Sequence, residues 1–123
     1  MIAADTSAWI DFSRGSTSTF ARKLEVALVD GSLVMPNPVL FEILSGPGLT
    51  AEARELILQL PRLDVLDGFW ERSGDMRQKI LRKGFKARAM DCLIAQSCID
   101  HGVSLIAVDS DYRHMTRYGL KLW

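Results

Sequence analysis

At 123 residues the chain is long enough to bury a core as one domain, residues 1–123, without staples. Its 48% hydrophobic and 24% charged content excludes a disordered tail, and no apolar run reaches membrane-spanning length. Fifteen basic residues balance fifteen acidic ones, so nucleic-acid binding would need a local patch or a bound cation rather than a bulk positive field.

Met1-Ile2-Ala3-Ala4 is a short apolar run that ends on Asp5-Thr6-Ser7. It predicts a buried strand handing over to a helix around Ala8-Trp9-Ile10-Asp11-Phe12, with Thr6 or Ser7 available as its cap. Asp5 and Asp11 interrupt any secretory apolar segment, so the protein is read as cytoplasmic. Ser16 to Ser18 can cap a helix over residues 19–29, where Phe20, Leu24, Ala27 and Leu28 keep helical spacing and Asp30-Gly31 ends it. Residues 33–35 read as a second strand. Asn37-Pro38 then looks like an N-cap with proline at the first helical position, opening a helix to Leu44.

Gly46-Pro47-Gly48 stops that helix, residues 50–60 form another, and residues 63–66 a third strand. Residues 69–82 predict a longer polar-faced helix, broken by Gly84 before a helix that carries Asp91. Residues 104–108 make the clearest strand, ending on Asp109-Ser110-Asp111. A short helix over residues 112–117 and a terminal strand over residues 120–122 complete the chain. Short apolar strands alternating with helices argue for a parallel sheet covered on both faces. Reactive groups in such sheets gather beyond the carboxyl ends of the strands.

On the Asp91 helix, Ala87, Asp91, Ile94, Ala95 and Cys98 fall on one face, which is apolar except for the carboxylate. A lone buried carboxylate costs several kcal/mol or loses its charge unless something positive meets it. Asp5, Glu42 and Asp109 also sit in apolar settings. Each has a plain alternative: Asp5 a helix cap, Glu42 an exposed helix edge, Asp91 the partner of a buried arginine, Asp109 a strand-end turn. Together they would repel one another without a cation, so a divalent metal site is the better reading of the set.

The ligand type selects the metal. Carboxylate oxygens suit Mg²⁺ or Mn²⁺, whereas zinc wants histidine or thiolate at coordinating spacing, and His101 and His114 show none. Cys92 and Cys98 lie six apart on one helix, roughly 9 Å along its axis, too far to bridge. They are expected to be small core residues. A hydrated cation of this kind points to phosphodiester hydrolysis without a serine, cysteine or histidine nucleophile. Arg82, Lys83, Lys86 and Arg88 crowd the approach to Asp91, either as a phosphate-holding rim or as a solvated loop in which Arg88 steadies a carboxylate. Trp9, Phe12, Phe20 and Trp70 read as core or partner-facing residues.

Asp5-Thr6-Ser7, Glu42 in a proline-opened helix, Asp91-Cys92-Leu93-Ile94-Ala95 and Val108-Asp109-Ser110-Asp111-Tyr112 resemble, in that order, a PIN-domain nuclease. The size and spacing are similar to the VapC toxins of toxin–antitoxin pairs. The resemblance implies a three-layer α/β/α fold with a parallel sheet of about five strands. It also implies Mg²⁺- or Mn²⁺-dependent RNA cleavage, a homodimer and a cognate antitoxin. Asp5, Asp91 and Asp109 are then the metal ligands, with Glu42 acting directly or through water and Thr6 or Ser7 as the supporting hydroxyl. Where relatives often carry a hydroxyl two residues before the last acid, this chain has Ala107. Asp111 is therefore a candidate to share the role of Asp109.

A haloacid-dehalogenase-like phosphatase would need an aspartate where Ser7 stands, and a receiver-like domain would need an early acidic pair where only Asp5 is present. The remaining alternatives are a PIN-like binding module that does not cut, or a nuclease of RNA processing or of DNA. Asp5→Asn or Asp91→Asn is expected to abolish cleavage while leaving the fold intact or more stable.

Overall fold

The computed structural model describes residues 1–123. Its strands are β1 (Ile2–Ala4), β2 (Met35–Pro36), β3 (Arg62–Leu63), β4 (Ser104–Ile106) and β5 (Lys121–Leu122), and every pairing is parallel. β1, β4 and β5 form one three-stranded sheet, β2 and β3 a two-stranded one, and a single bridge between Ile2 and Leu33 joins them. The expected single sheet of about five strands is therefore corrected. Val34 N–H donates to Ile2 O at 2.8 Å, and Met35 N–H then turns the other way to Pro61 O at 2.7 Å. The next residue to face β1 would be Pro36, which has no N–H to give, so the ladder stops there.

The helices are α1 (Thr6–Ser13), α2 (Thr19–Val29), α3 (Asn37–Leu44), α4 (Ala51–Gln59), α5 (Phe69–Arg82) and α6 (Ala89–His101), followed by a 3₁₀ helix at Ser110–Tyr118. Spatially the strands run β3, β2, β1, β4, β5, with the bridge at the centre. Right-handed crossovers then put α1 and α2 over one face, and α5, α6 and the 3₁₀ helix over the other, while α3 meets both α1 and α6. α1 packs on α2, while α5 and the 3₁₀ helix pack on α6. No helix is long and apolar enough to cross a membrane.

Local chemistry explains most boundaries. Ser18 Oγ caps α2 by accepting Ala21 N–H at 3.1 Å, and Thr50 Oγ1 does the same for α4 at Ala53, 3.2 Å. Gly102 ends α6 at φ 63°, a left-handed turn that a Cβ would resist. Asp5 caps α1, as its plain alternative reading expected, in place of Thr6 or Ser7; the residue before α3 is Pro36 rather than Asn37, so Asn37 is free to send Nδ2 to Leu63 O at 3.4 Å.

The core runs from Ala3, Ala4 and Leu105 through Met35 and Val39 to Ile94, Ala95 and Cys98. Each fully buried aliphatic side chain contributes about 1.5–3 kcal/mol. α6 buries Cys92, Ile94, Ala95, Gln96, Ser97 and Cys98, so it is enclosed well beyond one stripe. Both thiols are free and buried, and burial pushes Cys98 up to about 12, which fits inert core residues. Trp9 is buried and Phe12 and Phe20 lean on the core, whereas Trp70 is 63% exposed.

Candidate active site

Asp5 is the residue at which β1 becomes α1. Its N–H still pairs like a strand, to Ile106 O at 2.9 Å. Its carboxylate serves two segments: Oδ1 accepts Ala8 N–H at 2.8 Å, capping α1, and Oδ2 accepts Val108 N–H at 2.9 Å. The pairing of Ala4 with Ile106 sets the carboxyl ends of β1 and β4 side by side, so Asp5 and Asp109 leave the sheet as neighbours. Only two residues separate α6 from β4. That short turn runs the helix back along the strand and brings its first turn, with Asp91, over the same end.

Tyr112 is a site residue that the sequence does not announce. Its hydroxyl, buried in the 3₁₀ helix, donates to Asp91 Oδ1 at 3.1 Å. Across the pocket, Thr6 Oγ1 donates to Glu42 Oε1 at 2.6 Å, which ties α1 to the second turn of α3. Asp109 caps the 3₁₀ helix, Oδ1 accepting Asp111 N–H at 2.8 Å. Of the two candidate hydroxyls, Thr6 makes the contact and Ser7 faces solvent. The sole hint of Tyr112 in the sequence is its place one 3₁₀ turn after Asp109.

The electrostatics link these acids through Asp91, which acts on Asp5 and is acted on by Asp109 and Glu42. Burial raises the Asp5 carboxyl from 3.8 to about 6, against the backbone donors at Ala8, Val108 and Asp109, and the charge of Asp91 adds to the rise. Burial likewise raises Asp91; the Tyr112 hydroxyl and Arg88 oppose this, while the charges of Asp109 and Glu42 reinforce it. Burial and the charges of Asp91 and Asp5 push the Tyr112 phenol strongly upward, so it stays a donor. The N-termini of α1 and α6 point at the cluster and relieve part of the strain, each about 0.3–1 kcal/mol.

A hard divalent cation fits this donor set. The oxygens are partly desolvated, and two carboxyls are held above their usual range by that burial and, to a smaller extent, by neighbouring negative charge. No three of these side chains close into a ready-made coordination cage. The histidines are engaged elsewhere: His101 Nε2 contacts Asp64 O at 2.8 Å, and His114 stacks on Phe85.

The basic group divides. Arg82, Lys83, Lys86 and Arg88 are all exposed, and the charge of Arg88 acts on Asp91. Arg82 lines a shallow groove with Gly74, Arg77, Gln78 and Leu81, and Lys83 a different one. Arg77 Nε donates to Ala87 O at 2.9 Å and pins the loop that leads into α6.

Acids collected where parallel strands end define a class of α/β domain, and residues 2–118 match the family described as PIN domain. The chain belongs to the PIN-domain family. It is 31% identical over 124 residues to VapC ribonuclease Mb1587 of Mycobacterium bovis and to Ribonuclease VapC11 of Mycobacterium tuberculosis, covering 95% of this chain and 92% of each relative. The fold matches VapBC2 from Rickettsia felis, solved bound to a DNA fragment from its promoter, at TM-score 0.70 and 19% identity over 100% of this chain and 98% of that one. FitAcB from Neisseria gonorrhoeae matches at TM-score 0.65 and 13% identity, over 100% and 96% of the two chains.

Proposed function

We propose that the chain is a Mg²⁺- or Mn²⁺-dependent endoribonuclease, the toxin of a toxin–antitoxin pair, which hydrolyses RNA phosphodiester bonds. One observation carries the reading: burial holds the carboxyls of Asp5 and Asp91 above their ordinary range, with the charge of Asp91 adding to Asp5 and those of Asp109 and Glu42 adding to Asp91. Strain of this kind, collected at strand ends, is what a bound cation relieves. The 31% identity to proteins named as VapC ribonucleases supports RNA as the substrate.

In this reading Asp5, Asp91 and Asp109 hold the cation. When bound, it supplies a water acidic enough to attack near neutral pH and positive charge for the phosphate oxygens. Asp5 is fixed by donors on two sides, so its remaining lone pairs have set directions. Tyr112 occupies one lone pair of Asp91 Oδ1 and leaves Oδ2 free. Thr6 holds Glu42 at the rim, where it can order a water or take its proton. Asp111, half-buried two residues on, is a second-choice ligand beside Asp109. Lys86 and Arg88 steer the phosphate backbone towards the acids.

Exposed Phe41 (65%) and Leu44 (36%) on α3, with Leu56 (41%) and Leu58 (38%) on α4, support protein contacts, which we assign to a second copy and to an antitoxin. The direct test is incubation of the purified chain with total RNA in Mg²⁺, Mn²⁺ or chelator, with mapping of new ends. Discrete metal-dependent ends absent from Asp91→Asn are expected. Intact RNA under all conditions overturns the proposal.

A further inference from the structure

Between the end of α5 and the 3₁₀ helix lies an open groove of about 510 Å³ that the acid site does not use, lined by Ile80, Lys83, Phe85, Arg113, His114, Thr116, Arg117 and Tyr118. Two features set it apart. Its cations have no anionic partner: the only ion pair in the molecule joins Arg72 to Asp100, and no acid lines the groove. In a chain of net charge zero this is a concentrated positive patch. Its aromatics are also arranged as flat surfaces. Phe85, 47% exposed, stacks on His114 with centroids 4.2 Å apart and planes 9° from parallel, and the Tyr118 ring carries Lys79 and Lys83, each 5.9 Å from its centroid.

We infer that this groove holds an unpaired nucleotide of the RNA beside the cleaved bond, its base stacked on the Phe85–His114 pair and its phosphate held by Lys83, Arg113 and Arg117. Stacking platforms interleaved with cations are the recurring means of binding single strands without reading sequence. Position supports it. The 3₁₀ helix that presents Arg113 to Tyr118, about 10 Å of its length at about 2 Å rise per residue, also presents Tyr112 to Asp91, so one short element carries both the groove and an acid-holding side chain. A protein segment would need acidic side chains to match the cations and would gain less from the flat ring pair. The inference rests on the proposed ribonuclease activity and adds to it a particular seat, the Phe85–His114 pair with the cations around it, for one nucleotide of the strand.

The test measures binding and cleavage by the full chain. Binding of a fluorescent single-stranded oligoribonucleotide, and of its duplex, is followed by anisotropy in chelator, and cleavage in Mn²⁺. Phe85→Ala is expected to weaken single-strand binding roughly 5- to 100-fold and to raise KM with little change in kcat, while Phe85→Tyr restores binding. Arg113→Ala with Arg117→Ala is expected to lower the salt slope by about 0.7 for each phosphate no longer neutralised. Thermal melting confirms that each variant is folded. If wild type cleaves RNA but Phe85→Ala binds and cleaves as wild type does, the nucleotide subsite is wrong and the nuclease stands. Loss of binding in the arginine variant alone removes the stacking and overturns the inference. Equal affinity for duplex and single strand does the same, and a wild type that neither binds nor cuts RNA removes both.

Discussion

Helix α6 carries an aspartate at each end, and the two are treated in opposite ways. At the C-terminal end, Asp100 meets the Arg72 guanidinium at 2.7 and 3.1 Å, and Gln96 Nε2 adds a donor at 2.8 Å. Burial pulls its carboxyl up, but Arg72 and Gln96 bring it below the ordinary range. At the N-terminal end, burial and neighbouring acids raise Asp91, and its hydrogen-bond partner is a neutral phenol. The helix dipole alone favours charge on Asp91 and disfavours it on Asp100, by about 0.3–1 kcal/mol each. The reverse is found, so the neighbours outweigh the dipole. Good ion pairing sits where it can only steady the fold, and the uncompensated charge sits where chemistry is proposed.

Substitution at the two ends should separate these roles. Asp91→Asn is expected to lower RNA cleavage by at least about a hundredfold, since a neutral amide supplies neither charge nor a good ligand. Its Oδ1 can still accept from Tyr112, so melting in chelator should show an unchanged or higher midpoint. Asp5→Asn should be equally inactive, but its amide can replace only one of two accepted bonds and turns a donor on the other N–H, a cost of about 1–3 kcal/mol. The expectation of a neutral or stabilising effect therefore belongs to Asp91 more than to Asp5. A destabilised Asp91→Asn would show that repulsion in the pocket is already relieved.

The next effect concerns pH. Folding raises the Asp5 carboxyl from 3.8 to about 6, so the folded chain binds the extra proton between those values and stability falls as pH rises through them. In chelator this amounts to about 3 kcal/mol, read as the difference between urea midpoints of wild type and Asp5→Asn across that interval. Saturating Mg²⁺ should restore about 2.7 kcal/mol at a hundred times its Kd, and only where the acids are ionised. A wild-type profile parallel to that of Asp5→Asn would show that Asp5 carries no such strain.

Smaller effects follow at the edges. Thr6→Val keeps the shape but frees Glu42, and should cut kcat roughly tenfold with little change in melting. Asp100→Asn should lower the melting temperature slightly and leave cleavage unchanged, because its partner Arg72 is exposed and takes no part in the acid pocket. A loss of cleavage in that variant would couple the two ends of α6.

Asp5 and Asp91 were legible because each interrupts an apolar pattern whose period is itself legible, and the run of residues 104–108 pointed to Asp109 in the same way. The bond from Tyr112 to Asp91 spans 21 residues, and no local pattern announces a contact made by tertiary packing. Arg82 and Lys83 look like one basic cluster in sequence, but successive residues on a helix diverge by about 100°, and they line different grooves. Apolar runs of three to five residues predicted five strands, and the strands that form hold two or three residues each. Whether those strands joined depended on a single missing N–H at Pro36, which becomes decisive only once its neighbour is known.

The two bonds of the Asp5 carboxylate tie residue 8 to residue 108. A chain still emerging from the ribosome lacks the second anchor until nearly all of it has been made, so the pocket is among the last parts that can be assembled. If the chain cuts RNA as proposed, that order of assembly would keep a nascent chain inactive until its last strand pairing, β4 with β5, is within reach.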